Sequence, residues 1–157
     1  MTRLASIVTG LLVLLWSTVP ALADSADPLM GTWTVDLSKL AIPNPPKSVT
    51  IVLTAVGGGQ YKMSVDIIDH DGARRHGAST FKADGTPTPA IGNADYDVVS
   101  MSMPSRRIMV MGGGLKGRPS NTRVFSLSDD GKHMIETVVG HGPDGTPTTR
   151  VDVWDRQ

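Results

Sequence analysis

The segment SVTIVLTAVGGGQYKMSVDIIDHDG, residues 48–72, contains two runs of alternating apolar and polar residues, a glycine triplet between them and an Asp-Gly pair at the end. In the second run the apolar side chains occupy every other position, namely Tyr61, Met63, Val65 and Ile67. Alternation with a period of two is typical of an antiparallel strand with one face on a core and the other in water. The glycine triplet predicts a reversal of the chain, so the segment is expected to form a β-hairpin.

The same arrangement of short β-favouring runs and turn residues continues through the rest of the chain and predicts about nine strands. We expect them near 30–36, 48–56, 60–69, 73–83, 96–103, 106–112, 115–128, 132–141 and 147–156. Asp-Gly pairs at 71–72, 84–85, 130–131 and 144–145 predict type I′ turns, in which both central residues have positive φ. The glycines at 112–114 predict a further reversal. Tight turns join neighbouring antiparallel strands, so an all-β up-and-down meander in a sandwich or barrel is expected.

The N-terminus has the pattern of an export signal. Arg3 supplies a positive start, residues 4–16 are uncharged and mostly apolar, and Ala21-Leu22-Ala23 places small residues at a cleavage site. A membrane-spanning helix would need about 20 apolar residues, more than this core supplies. We therefore expect residues 1–23 to be a cleaved signal peptide and residues 24–157 to form one domain in the periplasm or outside the cell.

Composition argues against several classes of function. The 15 basic residues balance the 15 acidic ones, which does not favour nucleic acid as a partner. The chain has no cysteine, so it has no disulfide and no thiolate site for a metal or a nucleophile. His70 and His76 flank a predicted turn, where a solvated hairpin tip explains them more simply than a metal site. No catalytic or phosphate-binding motif is present, so a non-catalytic role is favoured over an enzymatic one, and no cofactor is predicted.

Two terminal motifs carry a family resemblance. The mature start contains Gly31-Thr32-Trp33, and the chain ends in the strand Val-Asp-Val-Trp-Asp-Arg at 151–156. This resembles a group of small exported bacterial proteins that open with Gly-Thr-Trp, and the Gly-x-Trp is similar to the first-strand signature of lipocalins. The resemblance implies a meander barrel with an interior site for a small apolar ligand. It also implies that Trp33 closes one end of the barrel beneath a basic residue from a late strand, either Arg150 or Arg156.

The predicted strands carry six methionines and few aromatic residues, and a methionine-lined interior adapts to varied apolar guests. An ordinary core that uses methionine in place of phenylalanine is the alternative. The expected lining residues are Tyr61, Met63, Met101, Met103 and Phe125. Arg123 or Glu136 would anchor a polar group if it faced inward. Alternation leaves the direction of Glu136 open, and the solvent face is favoured because charged residues are rarely buried unpaired.

Three functional hypotheses from different classes follow. The first is an exported, non-catalytic binding protein for a small apolar or amphipathic ligand. The second is an envelope interaction domain with a packed core, whose partner contacts the strand at 108–111, where the residues are apolar on both faces. The third is a small lyase, isomerase or hydrolase that uses Glu136 as acid or base, which requires that carboxyl to lie in a cavity.

Overall fold

The computed structural model describes residues 27–142 and 144–157, and the predicted signal peptide at 1–23 lies outside them. Ten β-strands and one short 3-10 helix, Leu37–Lys39, occur in the described residues. The strands are β1 (Gly31–Val35), β2 (Ser48–Gly57), β3 (Gln60–Ile68), β4 (Arg74–Lys82), β5 (Asp84–Pro89), β6 (Val98–Ser105), β7 (Ile108–Leu115), β8 (Arg118–Leu127), β9 (His133–His141) and β10 (Pro147–Arg156). They form one antiparallel sheet in the order β4-β3-β2-β1-β10-β9-β8-β7-β6-β5. The predicted all-β up-and-down meander barrel is confirmed.

The barrel is nearly closed, because the two edge strands of the sheet, β4 and β5, meet beside each other. Beyond the end of β5 the backbones of Ala78 and Ile91 exchange two hydrogen bonds, of 2.9 and 2.8 Å. Within the seam the Ser79 hydroxyl donates to the Pro89 carbonyl oxygen at 2.9 Å. Proline has no amide hydrogen for a ladder, so the two prolines of β5 confine this strand to an edge of the sheet.

Strand β5 is the element that the sequence pattern missed, since the Asp84-Gly85 pair predicts a hairpin turn. The structure includes both residues in β5, with a register shift between Asp84 and Pro87. Alternating Thr and Pro residues give no apolar face, so the segment does not resemble a strand. It pairs through its backbone with β6 instead.

The Asp-Gly pairs differ from the predicted type I′ geometry. Among the described residues the non-glycine positions with positive φ are Asn44 and Lys116, so none of these aspartates adopts positive φ. In each pair the Asp Oδ1 accepts a hydrogen bond from the backbone amide two residues later, as from Ala73 to Asp71 at 2.9 Å. The aspartate therefore stabilises the turn through its side chain, which is the usual role of Asp in turns.

The glycines at 112–114 do not reverse the chain, contrary to the prediction, but lie inside β7. A Cβ atom at Gly113 would lie 2.2 Å from Cε1 of the buried Tyr96 ring. A side chain at this position is excluded by the ring, so the glycine permits close packing against the strand. The actual reversal follows β7 at Lys116-Gly117, where both residues have positive φ.

One end of the barrel is closed by packing around the buried Trp33. The Trp33 indole Nε1 donates to the Leu29 carbonyl at 3.0 Å, and the Arg156 guanidinium lies 4.1 Å above the ring centroid. Arg156 also donates to the carbonyl oxygens of Met30 and Gly131, both at 2.7 Å. Of the two basic residues that the sequence left open, Arg156 therefore contacts Trp33. Arg150 does not, because it lies earlier on β10, towards the other end of the barrel.

In the strand at 108–111, Met109 and Met111 are buried inside the barrel, whereas Ile108 is partly exposed on the outside. A protein partner on that outer side remains a prediction. None of the described residues belongs to a helix that is both long and apolar enough to cross a membrane.

Candidate functional site

The end of the barrel opposite Trp33 opens into a cavity of about 330 Å³. Its mouth is formed by the loops at 40–47 and 90–97 and by the start of β4 at Arg75. Small-molecule sites in proteins begin at about this volume. At the closed end, Trp33, Leu53 and Phe81 are fully buried and fill the interior.

Much of the cavity wall is apolar. Its side chains come from the β2, β3, β6 and β7 strands and from the loop at 40–47: Leu40, Ile42, Val49, Ile51, Met63, Val65, Ile67, Val99, Met101 and Met111. The strand residues among them occupy the inward positions of the alternating pattern, so the period of two dictates which residues meet here.

The facing wall, formed by β8, β9 and β10, is polar. The strand register aligns inward residues in rows, with Arg123, Val138 and Arg150 in one row. The next row towards the closed end contains Phe125, Glu136 and Asp152. Each arginine thus has a carboxylate within reach, one row deeper in the barrel.

Glu136 faces inward and is fully buried, so the favoured expectation of a solvent-facing side chain was wrong. Its carboxylate accepts from Arg123 Nη1 at 2.7 Å and from the Trp154 indole Nε1 at 2.9 Å. A buried carboxylate without a partner would not remain charged, but these two hydrogen-bond donors offset the cost of burying the Glu136 carboxylate. The interior position follows from alternation with the buried Met134, whereas the partners could not be seen from spacing along the chain.

Burial raises the pKa of the Glu136 carboxyl above its usual value, opposed by the charge of Arg123 and reinforced by the negative charge of Asp152. Burial alone would lower the pKa of Arg123, but the charges and hydrogen bonds of Glu136 and Tyr96 together outweigh it and the net shift is upward. The guanidinium of Arg123 therefore stays charged. Burial in the barrel favours the protonated form of Glu136 instead.

Tyr96, on the loop at 90–97, supports the arginine from the mouth. Its hydroxyl accepts from Arg123 Nε at 2.8 Å and donates to Asn121 Oδ1 at 2.8 Å. The phenol reaches this position because its ring lies against Gly113. Neither Tyr96 nor Asn121 was predicted, since the contacts join positions 25 and 27 residues apart.

A second ion pair lies beside the first. The Arg150 Nε donates to both carboxylate oxygens of Asp152, at 2.8 and 3.0 Å. Arg150 was expected to be structural at the closed end, and the structure places it in the cavity wall instead. Alternation along β10 does not identify this face, because the apolar Val151 is 51% exposed whereas Asp152 is 3% exposed.

A third ion pair lies at the mouth, where Arg75 donates through Nε and Nη2 to the two carboxylate oxygens of Asp69, both at 2.7 Å. Both side chains are exposed enough to meet solvent or an entering molecule. The hydrogen bonds to Asp69 raise the pKa of Arg75, and burial opposes this shift. The negative charges of Asp69 and then Asp95 raise the pKa further.

Some hydrogen-bond donors of these arginines have no partner in the described residues. Within the described residues, Arg123 Nη2 and both Nη atoms of Arg150 make no hydrogen bond to protein. Every fully buried side-chain nitrogen or oxygen there has a partner, so the unmatched atoms are accessible to solvent, and they belong to two side chains that line the cavity. They are the donors that a molecule in the cavity would meet.

The predicted ligand-binding residues divide into two groups. Met63, Met101, Phe125, Arg123 and Glu136 line the cavity. Tyr61 and Met103 do not contribute to its wall. Tyr61 stacks on Phe81 at 5.9 Å between ring centroids, and Met103 packs against the core near the closed end.

The histidines take no part in the cavity. His76 and His133 lie on the outside of the barrel in exposed pairs with Asp66 and Asp155, with 2.7 Å between the bonded atoms in each pair. In the described parts of the chain no group of three or more His, Asp or Glu side chains is placed to hold a metal ion.

Comparison with known proteins gives structural matches but no sequence family. No family model and no curated protein sequence matches the chain. The crystal structure of a mutant of the fluorescent protein UnaG superimposes with a TM-score of 0.56 and 16% identity, covering 83% of this chain and 97% of that one. Wild-type UnaG gives 0.54 and 16%, over 82% and 97% of the chains. At this identity the similarity establishes the shared barrel fold.

Proposed function

We propose that this protein is an exported, non-catalytic binding protein that holds one small amphipathic molecule inside its barrel. The observation that carries the proposal is the cavity, which has an apolar wall, a polar wall and unused arginine donors. Ligand sites are typically mostly apolar with a few placed polar groups that fix orientation. Export rests on the sequence of residues 1–23, and the location is the periplasm or the outside of the cell.

The cavity supports binding over a packed interaction domain, because a packed barrel would fill its interior with side chains. The contacts of Glu136 support binding over catalysis. Both of its carboxylate oxygens are engaged by donors of the protein, at 2.7 and 2.9 Å. A general base must reach a proton of the substrate, and this carboxylate is committed to Arg123 and Trp154.

The proposal is tested with the chain secreted from its own signal and purified from the periplasm or medium. Native mass spectrometry identifies any molecule that co-purifies, and titration with the uncharged dye Nile red measures uptake by fluorescence. We expect saturable one-to-one binding. Met101→Trp, which fills the cavity, should weaken it at least tenfold.

The matched control is Val151→Trp, because Val151 is 51% exposed on the outside of the barrel. It should bind as the original chain does. A clean mass without dye binding, or equal binding by the two tryptophan variants, would overturn the proposal. Retention of the chain in the cytoplasm would overturn its export.

A further inference from the structure

The charges around the cavity determine which polar group it would accept. Among the described residues of its wall, the cations are three arginines, Arg75, Arg123 and Arg150. The anions among them are four carboxylates, Asp69, Asp95, Glu136 and Asp152. The wall is therefore not a cationic surface, although arginines are its most prominent donors.

Each arginine is neutralised at contact distance. The gap between nitrogen and oxygen is 2.7 Å for Arg75 with Asp69, 2.7 Å for Arg123 with Glu136 and 2.8 Å for Arg150 with Asp152. Of the two deeper carboxylates, Glu136 is fully buried and Asp152 is 3% exposed. Little water is available there to screen them, so their negative charge offsets the attraction of the arginines for a second anion.

The donors that remain unused point to a neutral acceptor. Arg123 Nη2 and the Nη atoms of Arg150 belong to adjacent side chains on either side of Val138 in one row. An uncharged carbonyl or hydroxyl oxygen can accept from them without a counter-charge. A carboxylate at the same point would lie one row from Glu136 and Asp152, about 7 Å by the rise of two residues along a strand.

Resting on the proposed binding function, we propose that the cavity selects an amphiphile with an uncharged, hydrogen-bond-accepting head, such as an amide or alcohol, over a carboxylate of the same chain length. The tail lies against the methionines and aliphatic residues of β2, β3, β6 and β7. The head meets Arg123 and Arg150. Charge neutralisation of the arginines by Glu136 and Asp152 is thus the specificity element.

The experiment compares probes with one tail and different heads: decanamide, 1-decanol, decanoate and decylammonium at neutral pH. Each displaces Nile red from the secreted chain, and its dissociation constant is measured below its micelle concentration. We expect decanamide and decanol to bind at least tenfold more tightly than decanoate. Decylammonium should also bind more weakly, since the free groups of the wall are donors.

Variants separate the specificity element from the fold. Asp152→Asn and Glu136→Gln each remove one negative charge while keeping the size of the side chain, and should increase decanoate affinity relative to decanamide at least tenfold. Asp155→Asn removes an exposed carboxylate from the outside of the same β10 strand, and should leave the ratio unchanged. Thermal unfolding shows that each variant is folded, and two variants are available should one fail.

The outcomes distinguish the two proposals. If no probe and no dye binds, the binding function itself is wrong. If the probes bind but decanoate or decylammonium is preferred, or if neither cavity variant shifts the ratio beyond Asp155→Asn, binding stands and the uncharged-head inference is wrong.

Discussion

The packing at the cavity mouth can be tested by adding one methyl group, with the substitution Gly113→Ala. An alanine Cβ at this position would lie 2.2 and 2.4 Å from two carbons of the Tyr96 ring. Ordinary contact begins at 3.4 Å, so the ring has to retreat by about 1 Å. That movement strains the hydrogen bonds of the Tyr96 hydroxyl with Arg123 and Asn121, each 2.8 Å long.

The expected cost combines two effects. Overpacking of a tight site costs about 1–3 kcal/mol, and each weakened hydrogen bond costs about 1 kcal/mol. We expect Gly113→Ala to lower the free energy of unfolding by about 3 kcal/mol, which corresponds to a fall in Tm of roughly 10 °C. Urea unfolding followed by circular dichroism measures the first quantity, and a thermal scan measures the second.

The control is Gly112→Ala on the same strand. A Cβ atom there would meet the Ser100 hydroxyl oxygen at 3.0 Å, and a serine side chain can rotate away. We expect a change within about 0.5 kcal/mol. A double-mutant cycle isolates the cause, because Gly113→Ala should cost little once Tyr96→Ala has removed the ring. Equal costs for the two glycine variants, or an undiminished cost in the Tyr96→Ala background, would refute the reasoning.

Three further predictions concern the charged groups. Arg123→Met leaves the fully buried Glu136 with Trp154 as its remaining donor, and should lower the free energy of unfolding by about 3 kcal/mol in urea titrations at neutral pH; a loss below about 1 kcal/mol would show that the pair is not coupled. Because burial raises the pKa of Glu136 above 4.5, the folded state binds that proton more tightly than the unfolded chain, and this carboxyl contributes more stability as pH falls towards 4.5. The stability of the original chain minus that of Glu136→Gln should therefore increase on acidification, and a difference that is flat or decreases in acid contradicts the shift. Arg156→Ala removes the cation over Trp33 and should cost about 2 kcal/mol in the same titrations, whereas an unchanged unfolding midpoint would mean that the ring closes the barrel unaided.

The sequence was most informative where local rules decide the structure. Alternation at Tyr61, Met63 and their neighbours located the strands and their inward faces, because side-chain direction follows directly from the period of two. It failed at β5, where alternating Thr and Pro residues form a strand that has no apolar face. It also failed at 112–114, because glycine occurs both at chain reversals and where a neighbouring side chain packs closely against a strand. The sequence alone does not distinguish these two uses.

The candidate site depended on register, which local patterns do not supply. Arg123 and Glu136 were both recognised as candidates, but their contact depends on how β8 pairs with β9. Tyr96 was predicted to begin a strand but lies on the loop before β6, and it reaches Arg123 only because β7 has a glycine beneath its ring. Side-chain contacts between different strands can be assigned only when the pairing and register of those strands are known.

The distribution of charge inside the barrel bears on its purpose. A buried ion pair is a poor source of stability, since well-packed apolar residues of similar volume often do as well or better. The closed half follows that rule, with Leu53, Phe81 and Met109 fully buried. The open half instead keeps Glu136 and Asp152 paired with Arg123 and Arg150 in the wall of the cavity. Stability does not require this arrangement. Polar side chains in the wall are needed, however, if a cavity is to orient a polar head group. This contrast between the two halves of one barrel is the strongest argument for the proposed binding function.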